Sequence, residues 1–136
     1  MTRRDASDLD GWPVAVRGVT ESVVATRGPN DLWNYAALGL FDPHRCPGSD
    51  PARTADEVTA RTWGETRTRR NFRRTGEGVV QFTTDPREFV EAALTVTEGE
   101  DKPLPGAAAW VRVEATRLAS GAEGETTWAD WRLEPI

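Results

Sequence analysis

The chain has 136 residues, a formal net charge of −5 and one cysteine, Cys46. That length suits one domain with a single core, and its one thiol excludes an internal disulfide or a thiolate cluster. No run approaches the roughly twenty apolar residues of a membrane helix, and MTRRDASDLDGW has no apolar stretch behind its basic residues to form a signal peptide, so a soluble protein of the cytoplasm is expected. Lys102 is the only lysine; such an acidic, arginine-biased composition suits a high-salt cytoplasm such as a haloarchaeon's, although GC-rich codon usage gives much the same bias. The acidic balance argues against nucleic acid as a partner.

Residues 1–19 open polar and irregular and are expected to be a mobile arm and lead-in, ahead of a domain over 20–136. Residues 20–27, TESVVATR, predict a strand stopped by the turn formers Gly28, Pro29, Asn30 and Asp31. Residues 32–41, LWNYAALGLF, predict its returning partner, with Gly39 marking a bulge or a close approach. Residues 42–55 hold three prolines and a glycine among polar residues and predict a long surface loop. Alternation over 57–63 predicts a strand that Gly64 ends. Residues 66–75 carry five arginines around Phe72, have no β-branched apolar run, and meet Gly76 where a helix takes its C-terminal cap.

A strand follows over 78–84. Asp85, Pro86 and Glu88 then supply an N-cap, a first-turn proline and a third-position acid before FVEAAL, whose Phe89, Ala92 and Ala93 are expected on one buried face. Residues 98–106 predict a second polar loop. Segments 109–118 and 126–133 predict a last hairpin turning over 120–124. Mostly strands, hairpins and two short helices predict a six-stranded, closed antiparallel β-barrel, Greek-key-like in order.

Nucleotide-hydrolase loops, GxGxxG and HExxH are absent from the sequence. His44 and Cys46 share one proline-broken loop, too sparse a set for a tetrahedral metal site or an oriented nucleophile pair, so no metal is expected. Residues 61–72, RTWGETRTRRNF, are more informative. They place Arg, Thr and Asn groups around a strand-to-helix turn, where free helix N–H groups and the dipole favour a phosphate, with Arg61, Thr66 and Thr68 as side-chain donors. An equally good reading is that Thr66 only caps the helix and the arginines pair with carboxylates. A nucleic-acid stripe of Arg67, Arg69, Arg70, Arg73 and Arg74 fits less well, because these residues are read as surrounding the helix. Trp110, Trp128 and Trp131 are expected in core or dimer packing, while Trp33 and Trp63 flank the proposed site.

In order, ESVVAT, NYAALGL, RTWGETRTRRN and VVQFTTDPREFVEAAL resemble the domain-of-unknown-function 447 family, which is similar to the FMN-binding split barrels. The resemblance covers most of the chain. It implies a homodimer with a flavin nucleotide, FMN, at the subunit interface, and a flavoprotein of oxidoreductase type whose substrate it does not give. Glu21 and Thr26 match first-strand positions of the family. Ala37, Leu38 and Gly39 match the strand beneath the flavin ring, whose backbone would bond the ring's polar edge. Arg61, Thr66, Thr68 and Asn71 match the phosphate-gripping region, with Asn34 and Thr62 beside it, and Thr83, Asp85, Pro86 and Phe89 match the junction that follows. Leu38 and Gln81 depart from a common proline and asparagine, and the loop at 42–55 looks expanded. Relatives continue into a further helical part that the resemblance implies is absent after Ile136. A cofactor-free dimeric binding or assembly module and a deazaflavin or pterin binder are the alternatives.

Overall fold

A computed structural model describes residues 11–14, 16, 18–42, 58–94, 97–99 and 107–136. The predicted loop at 42–55, with His44 and Cys46, falls almost wholly outside them, as does the first part of the N-terminal arm. Among the described residues there are seven strands and two helices: β1 Val19–Arg27, β2 Trp33–Phe41, β3 Val58–Trp63, α1 Arg67–Thr75, β4 Glu77–Thr83, α2 Pro86–Leu94, β5 Thr97–Gly99, β6 Ala107–Glu123 and β7 Thr126–Pro135.

Six strands close an antiparallel barrel in the order β1-β4-β6-β7-β3-β2, because β1 pairs with β2 as well as with β4. Closure leaves few exposed strand edges, which is how a small all-β sheet avoids templating aggregation. The β1–β2 hairpin pairs over its whole length, Val19 opposite Phe41 to Arg27 opposite Trp33. Its turn forms as the residue types require: the Gly28 amide donates to the Leu32 carbonyl at 2.9 Å, and Asp31 takes a left-handed φ of 68°. Gly39 sits opposite Glu21 in unbroken register, so no bulge forms there.

Alternation then sorts the side chains into two layers. Val24, Leu38, Leu40, Val58, Ala60, Val80, Val113, Ala129, Trp131 and Leu133 fill the barrel, with Phe72 of α1 entering its end and packing on Trp131 at 5.2 Å between ring centres. Val16, within the expected lead-in, is buried in this cluster and Trp12 packs against it. Val23, Ala25, Tyr35 and Val79 face outward and are covered by Ala92 and Phe89 of α2. Ala93, expected on that buried face, is exposed, because α2 offers this small outer cluster only a narrow stripe.

Two further expectations are corrected. Residues 98 and 99, placed in a loop, belong to β5, which pairs with β2 at Trp33–Tyr35. The last hairpin turns at Gly124 and Glu125, not over 120–124, since β6 pairs with β7 as far as Glu123 opposite Thr126. Strand β6 is also irregular at Ala108 and Leu118, where its register shifts against β4 and β7. Such shifts bend and twist a strand, which lets one long strand follow the barrel wall.

A candidate nucleotide-phosphate cleft

Strand β2 has a gap on one edge. Leu40 and Phe41 pair with β3, and Trp33, Asn34 and Tyr35 pair with β5, but residues 36–39 between them face no strand on that edge among the described residues. Backbone groups at a strand edge are strong, directional donors and acceptors. Ala37, Leu38 and Gly39 lie in this gap, although the Leu38 side chain itself points into the barrel core and its carbonyl accepts from Ser22 Oγ at 2.7 Å.

Helix α1 begins beside the gap. Thr66 is its N-cap, with extended backbone and a hydroxyl that accepts from the Arg69 amide at 3.2 Å. No acidic residue stands in the first turn, and Glu65, just before the cap, is turned to Arg69 and Arg73 at 3.5 and 3.4 Å. Gly76 ends the helix in the left-handed conformation at φ 69°, its amide donating to the Phe72 carbonyl at 2.7 Å. Two buried side-chain bonds fix α1 to the hairpin. Asn71 Nδ2 donates to Thr26 Oγ1 at 3.0 Å, and Asn34 Nδ2 donates to Thr68 Oγ1 at 3.4 Å, with Thr26 and Asn34 facing each other across β1 and β2.

Between these elements lies a cleft of ≈ 480 Å³ lined by Asn34, Tyr35, Ala36 and Ala37 of β2, Thr66, Arg67, Thr68 and Arg70 at the start of α1, and Ala92 and Ala93 of α2. It has an apolar floor and wall and a polar, cationic end, with no carboxylate in its lining. Thr66 and Thr68 each use an oxygen lone pair to accept from the protein, which orients the hydroxyl and leaves its hydrogen to donate. The volume lies in the range of small-ligand sites. The arrangement can hold an anion at the α1 end and a flat apolar group against β2.

Of the residues singled out in the sequence, Asn34, Ala37, Thr66 and Thr68 line this cleft. Asn71 lines the adjoining groove and anchors the helix. Arg61 and Thr62 are not brought to it. Arg61 Nε and Nη2 form a bidentate pair with Asp130 Oδ1 and Oδ2 at 2.6 and 3.0 Å, and its guanidinium lies 4.0 Å from the Trp128 ring centre and 5.4 Å from that of Trp63. Thr62 accepts from Trp131 Nε1 at 3.0 Å and donates to the Ala129 carbonyl. Both residues organise the β3–β7 wall. Strand parity accounts for the separation: Arg61 points away from the interior that Ala60 and Thr62 share.

The arginines of α1 also sort differently from the expectation that they surround the helix. Arg67, Arg70 and Arg74 fall within an arc of about 60° at 3.6 residues per turn, and all three line one groove. Arg69 is buried, donating to Thr127 Oγ1 at 2.9 Å, and Arg73 pairs with Glu65. That i, i+3, i+7 spacing was present in the sequence. The contribution of Ala92 and Ala93 was not, because it depends on how α2 crosses the sheet.

The family model described as protein of unknown function (DUF447) N-terminal domain matches residues 20–136. No curated protein matches the chain. Among solved structures, the chain is similar to an FMN-bound protein from Methanosarcina mazei, at 17% identity and a TM-score of 0.64, with 97% of this chain and 63% of that one covered. The chain thus spans less than two thirds of that structure's length. It is also similar to the styrene monooxygenase flavin reductase of Pseudomonas putida S12, at 12% identity over 85% of this chain and 77% of that one with a TM-score of 0.47. A flavin reductase complexed with NADP+ matches at 11% identity over 87% and 78%, with a TM-score of 0.44. The first of these structures shows that the barrel is of the split-barrel kind.

Proposed function

We propose that this chain, which belongs to the DUF447 family through its N-terminal domain, binds FMN in the cleft between β2 and the start of α1, as a flavoprotein of oxidoreductase type. The observation that carries the reading is the coincidence of an unpaired stretch of β2 backbone with an N-terminal helix turn that has two oriented threonine hydroxyls, two arginines and no carboxylate. A flavin nucleotide is a flat ring with a polar edge joined to a phosphate, and these two features match its two ends. The Methanosarcina mazei structure is that of an FMN-bound protein with the same fold, which agrees with this choice of nucleotide.

In this reading Thr66, Thr68, Arg67 and the first-turn amides of α1 hold the phosphate, charge-assisted on the arginine side. Backbone groups of residues 36–39 would meet the ring's polar edge, while Ala37, Ala92 and Ala93 are small enough to let a flat ring approach. The flavin supplies the redox chemistry when bound; the chain supplies orientation, a fixed anion site and an apolar wall. A cytoplasmic homodimer completes the proposal. Supporting it are the exposed Trp63, Val90, Leu94 and Trp110, more large apolar side chains than so small a surface needs, and the single cysteine. Among the described residues no helix is long and apolar enough to cross a membrane.

The test is a fluorescence titration of FMN with the purified chain and with Thr68→Val, which keeps the shape and removes the hydroxyl, and with Asn34→Ala, which removes only the bond that Thr68 accepts and is expected to bind FMN more tightly than Thr68→Val. Saturable quenching is expected, weakened roughly tenfold or more in Thr68→Val by loss of one charge-assisted hydrogen bond, with far-ultraviolet circular dichroism unchanged. Equal affinity in the purified chain and Thr68→Val would place the phosphate elsewhere.

A further inference from the structure

The cleft does not end at Thr68. Asn34, Arg67 and Arg70 line it and also line a second groove of ≈ 550 Å³, whose other walls are Arg74 and Asn71 of α1 and Gly28, Pro29, Asn30 and Leu32 of the β1–β2 turn. Nine residues line this groove, three are arginines and none is acidic, in a chain whose net charge is −5. At the other end of α1 the balance differs: the groove there contains Arg73 and Arg117 together with Glu77 and Glu114. Asp31, next to the basic groove in sequence, is paired with Arg27 at 2.8 Å. A groove with three arginines and no carboxylate in its lining concentrates anions in an acidic protein.

We propose that this groove is a second anion subsite, continuous with the flavin-phosphate cleft, and that it takes the second phosphate and the adenosine of a flavin dinucleotide. This rests on the flavin reading of the first cleft. Spacing along the helix supports it. Arg70 stands about one turn, and Arg74 about two turns, beyond the Thr66 cap beside which the first phosphate would sit, at 1.5 Å per residue. Arg70, common to both cavities, would bridge the two phosphates. Arg74 is held over the groove by donating to the Arg27 carbonyl, and a guanidinium so fixed can stack on a base while Pro29 and Leu32 supply an apolar seat. The groove is concave and sized for a small molecule, unlike the extended stripe that a nucleic-acid backbone needs.

The experiment measures affinities of FMN, FAD and ADP by calorimetric titration for the full chain, for Arg74→Gln and for Asn30→Asp. Asn30 Oδ1 accepts from the Leu32 amide, so aspartate keeps the turn and adds one negative charge to the groove. FAD is expected to bind at least about tenfold tighter than FMN, with that advantage largely lost in both variants while FMN affinity stays the same. If FMN binds and FAD binds no tighter, or if the advantage survives both substitutions, the subsite is overturned and the flavin reading stands. If ADP binds in an Arg74-dependent way and FMN does not, the anion subsite stands and the flavin reading falls. Absence of binding by all three nucleotides overturns both.

Discussion

Arg61 carries its charge into a nearly closed setting, with its side chain 16% exposed and that of Asp130 5% exposed. Two short bonds and two indole faces hold the guanidinium, so the pair is a structural fastener between β3 and β7. Arg61→Ala takes the bidentate counter-charge from a buried carboxylate and is expected to cost about 3–5 kcal/mol of stability. Chemical denaturation reads this directly. A loss below about 1 kcal/mol would mean that water reaches Asp130 freely. Sequence alone could rank Arg61 as a candidate anion ligand, because residue type and position favoured it, but its partner is 69 positions away and no local pattern announces Asp130. Thr66 and Thr68 were legible because capping chemistry is local and helical spacing puts both hydroxyls at one helix end.

At the scale of elements, α1 was readable from its ends inward: Thr66 caps it and Gly76 stops it, each by a rule that needs only neighbours in sequence. Helix α2 shows the same economy with a variation. Asp85 Oδ1 accepts from the Arg87 amide as an N-cap should, whereas Glu88 accepts from Thr83 Oγ1 and that hydroxyl in turn accepts from the Asp85 amide, so the expected reciprocal cap runs through a threonine. Two glycines separate backbone need from space. A Cβ at Gly76 would find only the Ala115 carbonyl, at 3.9 Å, so Gly76→Ala is expected to cost about 1–2 kcal/mol through its positive φ alone. Gly76→Asn should cost less, and thermal unfolding of the two variants checks the order. Gly121 instead lies under Trp128, where a Cβ would come within 2.7 Å of Cζ2. The long reach of β6 and the existence of β5 were not legible, since each depends on pairing with a strand distant in sequence and not on its own alternation.

For the whole molecule, the barrel followed from counting strands and turns, but the break along β2 could not: it appears only when β3 and β5 are both seen to occupy the same edge at opposite ends. That break ties fold to proposed function, because a fully paired barrel would offer a ligand no backbone at this point. The homodimer proposed with it predicts sedimentation at twice the chain mass, with Leu94→Glu shifting the protein toward monomer; a monomer at micromolar concentration would contradict that assembly. The most direct test of the central claim is amide hydrogen exchange with and without FMN. Peptides covering residues 35–40 and 66–70 are expected to slow together on addition of FMN while the β6–β7 hairpin is unchanged. Bound FMN with no protection of those two segments, or with protection confined to other strands, would contradict the account.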